Sequence, residues 1–174
     1  MSLSEKCAEI TAIVLDVDGV LTDGMIGYGG NSSGEIKFFH VRDGHGIKLA
    51  QRAGLRVGIL SGRQSEANRI RAEELKLDFL YENIKDKDAG FTRFLEEQHL
   101  KAEQCMYIGD DVVDARPMSR CGVAVAVGDA VAELDKVCDF RTRAGGGRGA
   151  VREAIEFLLK EQGKWEQLMQ RYFS

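Results

Sequence analysis

Short β-type runs, mostly apolar, alternate along the chain with longer stretches in which apolar and charged residues are mixed at helical spacing. The runs fall at residues 10–16, 55–60, 79–81, 105–108, 123–127 and 139–141. Runs of this length, bounded by polar turns, read as strands buried on both faces. Between them, residues 46–52, 64–75, 88–98, 112–120 and 131–136 carry the pattern of helices with one buried face. Such alternation predicts an α/β fold, a doubly wound and mainly parallel sheet with crossover helices on both faces.

One stretch breaks the rhythm. Residues 25–28 and 35–39 flank Gly29-Gly30-Asn31-Ser32-Ser33-Gly34, which predicts two strands and a flexible turn, a small β-hairpin insertion over 24–41. Residues 141–174 form a Gly/Arg segment followed by a helix bent near Gly163. The whole, 1–174, is expected to be a single domain.

Composition narrows the partners. A chain of 174 residues can bury one self-supporting core, and 44% hydrophobic with 30% charged residues is a globular rather than a disordered balance. No apolar run approaches the ~20 residues of a membrane span, and the first residues do not read as a secretory signal, so a cytoplasmic location is expected. Cys7, Cys105, Cys121 and Cys138 are widely spaced and read as reduced, buried thiols. A net charge of −4 argues against nucleic-acid binding. An anionic ligand must then be met by a local cluster.

Open α/β sheets bind ligands at the carboxyl ends of their strands, so the residues after each run are the first candidates. Asp16 and Asp18 follow the first run, and Ser61-Gly62-Arg63 the second. Lys87 stands just beyond the third, and Gly109-Asp110-Asp111 with Asp114 follow the fourth. Carboxylates gathered on one rim raise one another's pKa unless a cation sits among them. Mg2+ suits this set, because it takes one or two carboxylates, keeps several waters and binds phosphate. Phosphoryl transfer needs a nucleophile, charge neutralisation and a proton for the leaving oxygen, and the rim offers all three.

In chain order, Asp16-Val17-Asp18-Gly19-Val20, Ser61, Lys87 and Gly109-Asp110-Asp111-Val112-Val113-Asp114 resemble the four motifs of the haloacid-dehalogenase-like phosphatases. With residues 16–24, 41–44, 61–63 and 146–153 the resemblance spans nearly the whole chain. It points to the capless, tetrameric branch acting on phosphorylated octulosonic acids. It implies a Rossmann-like sheet with no large cap domain, and an aspartyl-phosphate formed on Asp16. Asp18 would act as acid and then base, and Ser61 and Lys87 would hold phosphoryl oxygens. Mg2+ would be held by Asp16, the Asp18 main-chain carbonyl and Asp110, with Asp111 and Asp114 supporting its water ligands and the loop.

The same resemblance implies His40, Val41, Arg42, Asp43, Gly44, Lys48, Arg63, Arg71 and Arg148 for the sugar acid. His40 stands where the branch has a neutral amide, and Lys48 where it has arginine; lysine loses the bidentate fork. The implied substrate is 3-deoxy-D-manno-octulosonate 8-phosphate, in lipopolysaccharide precursor synthesis. Alternatives are a nonulosonic acid 9-phosphate as substrate or, in another class, a non-catalytic oligomerisation module. In the implied homotetramer the hairpin and the Gly/Arg segment close a neighbour's active site. Deleting the residues after Phe140 is then expected to damage KM or product release more than metal binding.

Other readings of the same residues fare less well. A calcium loop would need an acid or amide at Val20 and glycine at Leu21. A phospho-accepting receiver would place its acceptor after an internal strand rather than the first. Asp110 and Asp111 could instead cap a helix, Lys85 competes with Lys87, and Arg141, Arg143, Arg148 and Arg152 could form a solvated turn. His45 and His99 have no assigned role.

Overall fold

The structure is a computed structural model that describes residues 1–29 and 34–173. The chain enters through helix α1 (Leu3–Ala8), which the apolar pattern did not predict. Its start is local: the Ser2 hydroxyl accepts from the Glu5 amide at 3.3 Å, and Glu5 accepts from the Ser2 amide at 2.6 Å. Strand β1 (Ala12–Leu15) follows, then β2 (Gly27–Tyr28) and β3 (Glu35–Ile36), paired antiparallel as the expected hairpin. Both are shorter than predicted, and most of the intervening turn, 30–33, lies outside the described residues.

Then come α2 (Val41–Arg52), β4 (Arg56–Leu60), α3 (Glu66–Leu75), β5 (Phe79–Tyr81), α4 (Lys87–Gln98) and β6 (Cys105–Gly109). Helix α5 (Ala115–Arg120), β7 (Val123–Ala126), β8 (Phe140–Arg141), α6 (Ala150–Glu161) and α7 (Trp165–Phe173) complete the described chain. Two stretches read as α-helix are tight 3-10 turns, Val112–Asp114 and Ala132–Lys136. Helix α2 begins five residues earlier than expected, because His40 caps it by accepting from the Arg42 amide.

Six strands form one parallel sheet in the order β5-β4-β1-β6-β7-β8. The chain starts in the middle, runs outward to β5, then returns to β6 and runs outward to β8. That reversal opens a crevice between the carboxyl ends of β1 and β6.

Strand alternation divides the core. Ile13 and Leu15 of β1 join the layer of α2 and α6, with Ile47, Leu49, Val151 and Ile155. Ala12 and Val14 join the opposite layer, with Phe91 and Phe94 of α4, Tyr107 of β6 and Met118 of α5. Each buried Val, Leu, Ile, Met or Phe among them contributes about 1.5–3 kcal/mol by leaving water.

Helix α6 is part of this core, with Val151, Ala154, Ile155 and Leu158 all fully buried. Deleting the residues after Phe140, expected to damage KM or product release more than metal binding, would also strip one face of the sheet and so acts on stability as well. Gly163, at φ +65°, ends α6 and lets the chain turn into α7.

Candidate active site

The turn after β1 is wound tightly on one oxygen: the amides of Val20, Leu21 and Thr22 point at the Val17 carbonyl at 3.2, 2.9 and 3.1 Å. This holds Asp16 and Asp18 at the mouth of the crevice. Gly19, at φ +89°, needs a left-handed backbone, and a Cβ there would lie 2.0 Å from Asp110 Oδ2. After β4, Ser61 is fixed by its amide on the Tyr81 carbonyl at 2.8 Å, and its hydroxyl accepts from the Arg63 amide at 3.2 Å. Lys87 is the first residue of α4, whose start is capped by Asp86. Asp111 caps the 3-10 turn beyond β6.

Lys87 Nζ lies 2.9 Å from Asp16 Oδ2 and 2.7 Å from Asp114 Oδ1. Asp114 is fully buried and also accepts from the Tyr107 hydroxyl at 2.9 Å and from the amides of Asp110 and Asp111 at 3.2 and 3.4 Å. Four donors thus occupy one carboxylate, which fixes Lys87 and the β6 loop together. Oxygens of Asp16, Asp110 and Asp114 lie within 4.8 Å of one another. Asp16, Asp18, Ser61, Lys87, Asp110 and Asp111, with Arg63, line a pocket of about 190 Å3. A larger groove of about 450 Å3 along β5 is bordered by Asp78, Glu82, Arg93 and Glu97, but the metal-sized acid cluster found among the described residues is that of Asp16, Asp110 and Asp114.

The electrostatics of this cluster suit a cation. Burial, and then the Asp114 charge, push Asp16 up to about 6. Burial, followed by Asp16 and Asp114, pushes Asp110 up to about 7. Burial works against the charge on Lys87, yet Asp16 and Asp114 outweigh it and hold the ammonium above its ordinary pKa. One ammonium does not neutralise the three acids, and the free donors are all oxygens. The set fits a hard divalent ion such as Mg2+.

A profile of haloacid dehalogenase-like hydrolases matches residues 70–155. The 3-deoxy-D-manno-octulosonate 8-phosphate phosphatase KdsC of Escherichia coli K12 is 41% identical over 162 residues, 93% of this chain and 86% of that protein. The chain belongs to the KdsC family of haloacid dehalogenase-like hydrolases.

Solved KdsC-type structures agree in fold. That of Moraxella catarrhalis, in complex with magnesium ion, phosphate ion and KDO, has a TM-score of 0.94 at 30% identity, covering 98% of this chain and 97% of that one. The cobalt-bound YrbI phosphatase of Haemophilus influenzae has a TM-score of 0.90 at 36% identity, covering 97% and 99%.

The residues expected to bind the sugar acid are scattered within the subunit of this KdsC relative. Arg63 alone among them lines the carboxylate pocket. His40, Val41, Arg42, Asp43 and Gly44 sit at the start of α2. Asp43 is buried, and its carboxylate accepts from the amides of Gly149 and Arg152 at 3.3 and 2.8 Å, at the start of α6. Lys48 donates to the Leu75 carbonyl and to Gln51, and so closes the end of α3. Arg71 stacks on Phe39 at 5.4 Å and pairs with Glu74. Arg148 is largely exposed and shares a separate pocket with Arg42 and Arg152.

The sequence reading missed Tyr107, which looks like an ordinary strand aromatic, and Lys37. The Lys37 side chain is fully buried with its ammonium 2.7 Å from Asp18 Oδ1. A lone lysine beside aromatic residues in a hairpin carries no motif; only the tertiary contact marks it.

Proposed function

We propose that the protein is a Mg2+-dependent phosphatase that hydrolyses 3-deoxy-D-manno-octulosonate 8-phosphate to the free sugar acid and phosphate. The observation that carries the reading is the convergence of Asp16, Asp18, Lys87 and Asp110 on one pocket at the β1/β6 crevice. Membership of the KdsC family supports the substrate.

Asp16 attacks phosphorus in line, forming an aspartyl-phosphate as the ester oxygen departs. Asp18 donates its proton to that oxygen, then takes a proton from the water that cleaves the acyl phosphate, returning Asp16 as carboxylate. Lys87 and Ser61 hold phosphoryl oxygens, and Lys87 also screens the Asp16 charge during attack. Asp16, Asp110 and the Asp18 carbonyl hold Mg2+, with Asp111 and Asp114 behind them. The ion supplies charge neutralisation and orientation of the phosphoryl group.

The chain acts as one domain within a homotetramer, in the cytoplasm, in lipopolysaccharide precursor synthesis. Exposure of Met25, Tyr28, Phe38 and Val41, each at 74% or more, supports a subunit contact at the hairpin. His40, Val41, Arg42 and Arg148 would then serve a neighbour's pocket, with Arg63 acting from within the subunit. Asp43, Gly44, Lys48 and Arg71 support the framework.

Phosphate release by the purified protein with Mg2+ tests this reading, with the octulosonate 8-phosphate and a nonulosonate 9-phosphate compared by kcat/KM. The octulosonate should be preferred, and Asp16→Asn should lose at least ~10³-fold with its fold retained. Absence of turnover by the tetrameric wild type would favour the oligomerisation module.

A further inference from the structure

Lys37 has no place in the chemistry described so far, yet it is one of only two lysines buried among the described residues, the other being Lys87. Its side chain is fully shielded from water. An ammonium in such a place costs several kcal/mol unless charges and acceptors surround it. The surroundings are specific. Asn68, itself fully buried on α3, accepts from Lys37 Nζ at 3.1 Å. Asp18 Oδ1 lies 2.7 Å away in an ion pair without hydrogen-bond alignment, and Glu35 Oε2 lies at 3.7 Å.

The remaining oxygens of these acids meet Arg63, whose guanidinium bonds Glu35 Oε1 and lies 3.9 Å from Asp18 Oδ2. Lys37 does not line the pocket that holds Asp16 and Lys87. It approaches Asp18 from the hairpin side, where it borders a separate depression with Phe39 and Arg71.

We propose that Lys37 is a positioning residue for the Asp18 carboxyl, fixing the orientation in which Asp18 delivers a proton to the leaving oxygen, and that the hairpin is joined to the chemistry through this contact. The inference rests on the phosphatase reading and deepens it. A free carboxyl three residues beyond the strand could rotate about χ1 and χ2. Lys37, held by Asn68 on a helix, restrains one oxygen and leaves the other toward Arg63 and the pocket. A misplacement of about 1 Å can cost ~10²-fold in a positioned step, so loss of this restraint acts on the step that needs the proton and spares the others.

The test is a plot of log kcat/KM against leaving-group pKa for a series of substituted phenyl phosphates, which lack a sugar and a carboxylate. This parameter reports the steps up to leaving-group departure. Wild type is measured first, and its failure to turn over any ester would overturn the phosphatase reading itself. With wild type active, Lys37→Met should fall by about 10²-fold on the most basic leaving group and stay near wild type on p-nitrophenyl phosphate, giving a steeper plot. Lys37→Arg should recover part of the loss. Parallel plots, with equal losses across the series, would overturn the role of Lys37 and leave the phosphatase reading standing. Should Lys37→Met fail to fold by circular dichroism, Lys37→Arg and Asn68→Asp decide the matter by the same criterion.

Discussion

Three aspartates within 4.8 Å of one another do different work because different groups share their lone pairs. Asp114 accepts from an ammonium, a phenol and two amides, so it is fixed in place. Asp16 meets Lys87 but keeps an oxygen toward the pocket, and Asp110 has no comparable donor set. Gly19 is what lets Asp110 come so close. Gly19→Ala should therefore do two things: impose about 1–2 kcal/mol of left-handed strain, and push the Asp110 carboxyl away from its place. Activity is expected to fall at least ~10-fold, with a higher Mg2+ concentration needed for half-maximal rate. An unchanged Mg2+ requirement would show that Asp110 does not need this close approach.

At the scale of elements, α6 illustrates how the fold gives a motif residue a structural role. The resemblance implies Val41-Arg42-Asp43-Gly44 for the sugar acid, and within the subunit Asp43 is buried and holds the amides of Gly149 and Arg152. It caps a helix more than a hundred residues away in the chain and ties α2 to α6. Burial raises its pKa, against the pull of those amides. Asp43→Ala should lower stability by about 0.5–2 kcal/mol, a Tm drop of roughly 2–4 °C per kcal/mol for a chain of this size. KM for the sugar phosphate should stay close to wild type. A large rise in KM with unchanged Tm would return Asp43 to the substrate.

For the whole molecule, the acid cluster links stability to pH and to metal. Asp16 and Asp110 are raised from an ordinary 3.8 to about 6 and about 7. Between the ordinary and the raised values the folded state binds more protons than the unfolded state, so stability from this pair is lost as pH rises from about 4 to about 7. A divalent cation takes over from the protons. In the absence of metal, Asp110→Asn should therefore melt above wild type near neutral pH and close to it near pH 4. Saturating Mg2+ near pH 7, at about 100 times its Kd, should stabilise wild type by about 2.7 kcal/mol, or roughly 5–10 °C, and the variant far less. A gap between the two proteins that did not vary with pH would contradict the linkage.

How much of this was legible follows from how each feature is encoded. Central parallel strands buried on both faces are apolar throughout, as β1, β6 and β7 are, and the alternation with helical stretches located the remaining three sheet strands from the sequence. Chemistry placed directly after those strands could be read with them: Asp16, Asp18, Ser61, Lys87 and Asp110 all line or border one crevice. Helix α1 was missed although Ser2-Leu3-Ser4-Glu5 spells a capping box, because six residues give too few turns for a periodic signal. The start of α2 was missed because Gly44 and Gly46 interrupt its apolar stripe. Contacts between distant elements left no local trace, and only the tertiary structure decided them: Asp43 under α6, Lys48 at the end of α3, and Lys37 against Asp18. The sequence by itself determined which residues stand at the carboxyl ends of the strands. The fold decided which of the remaining charges are buried together, because the desolvation that makes a lysine or aspartate consequential depends on neighbours tens of residues away.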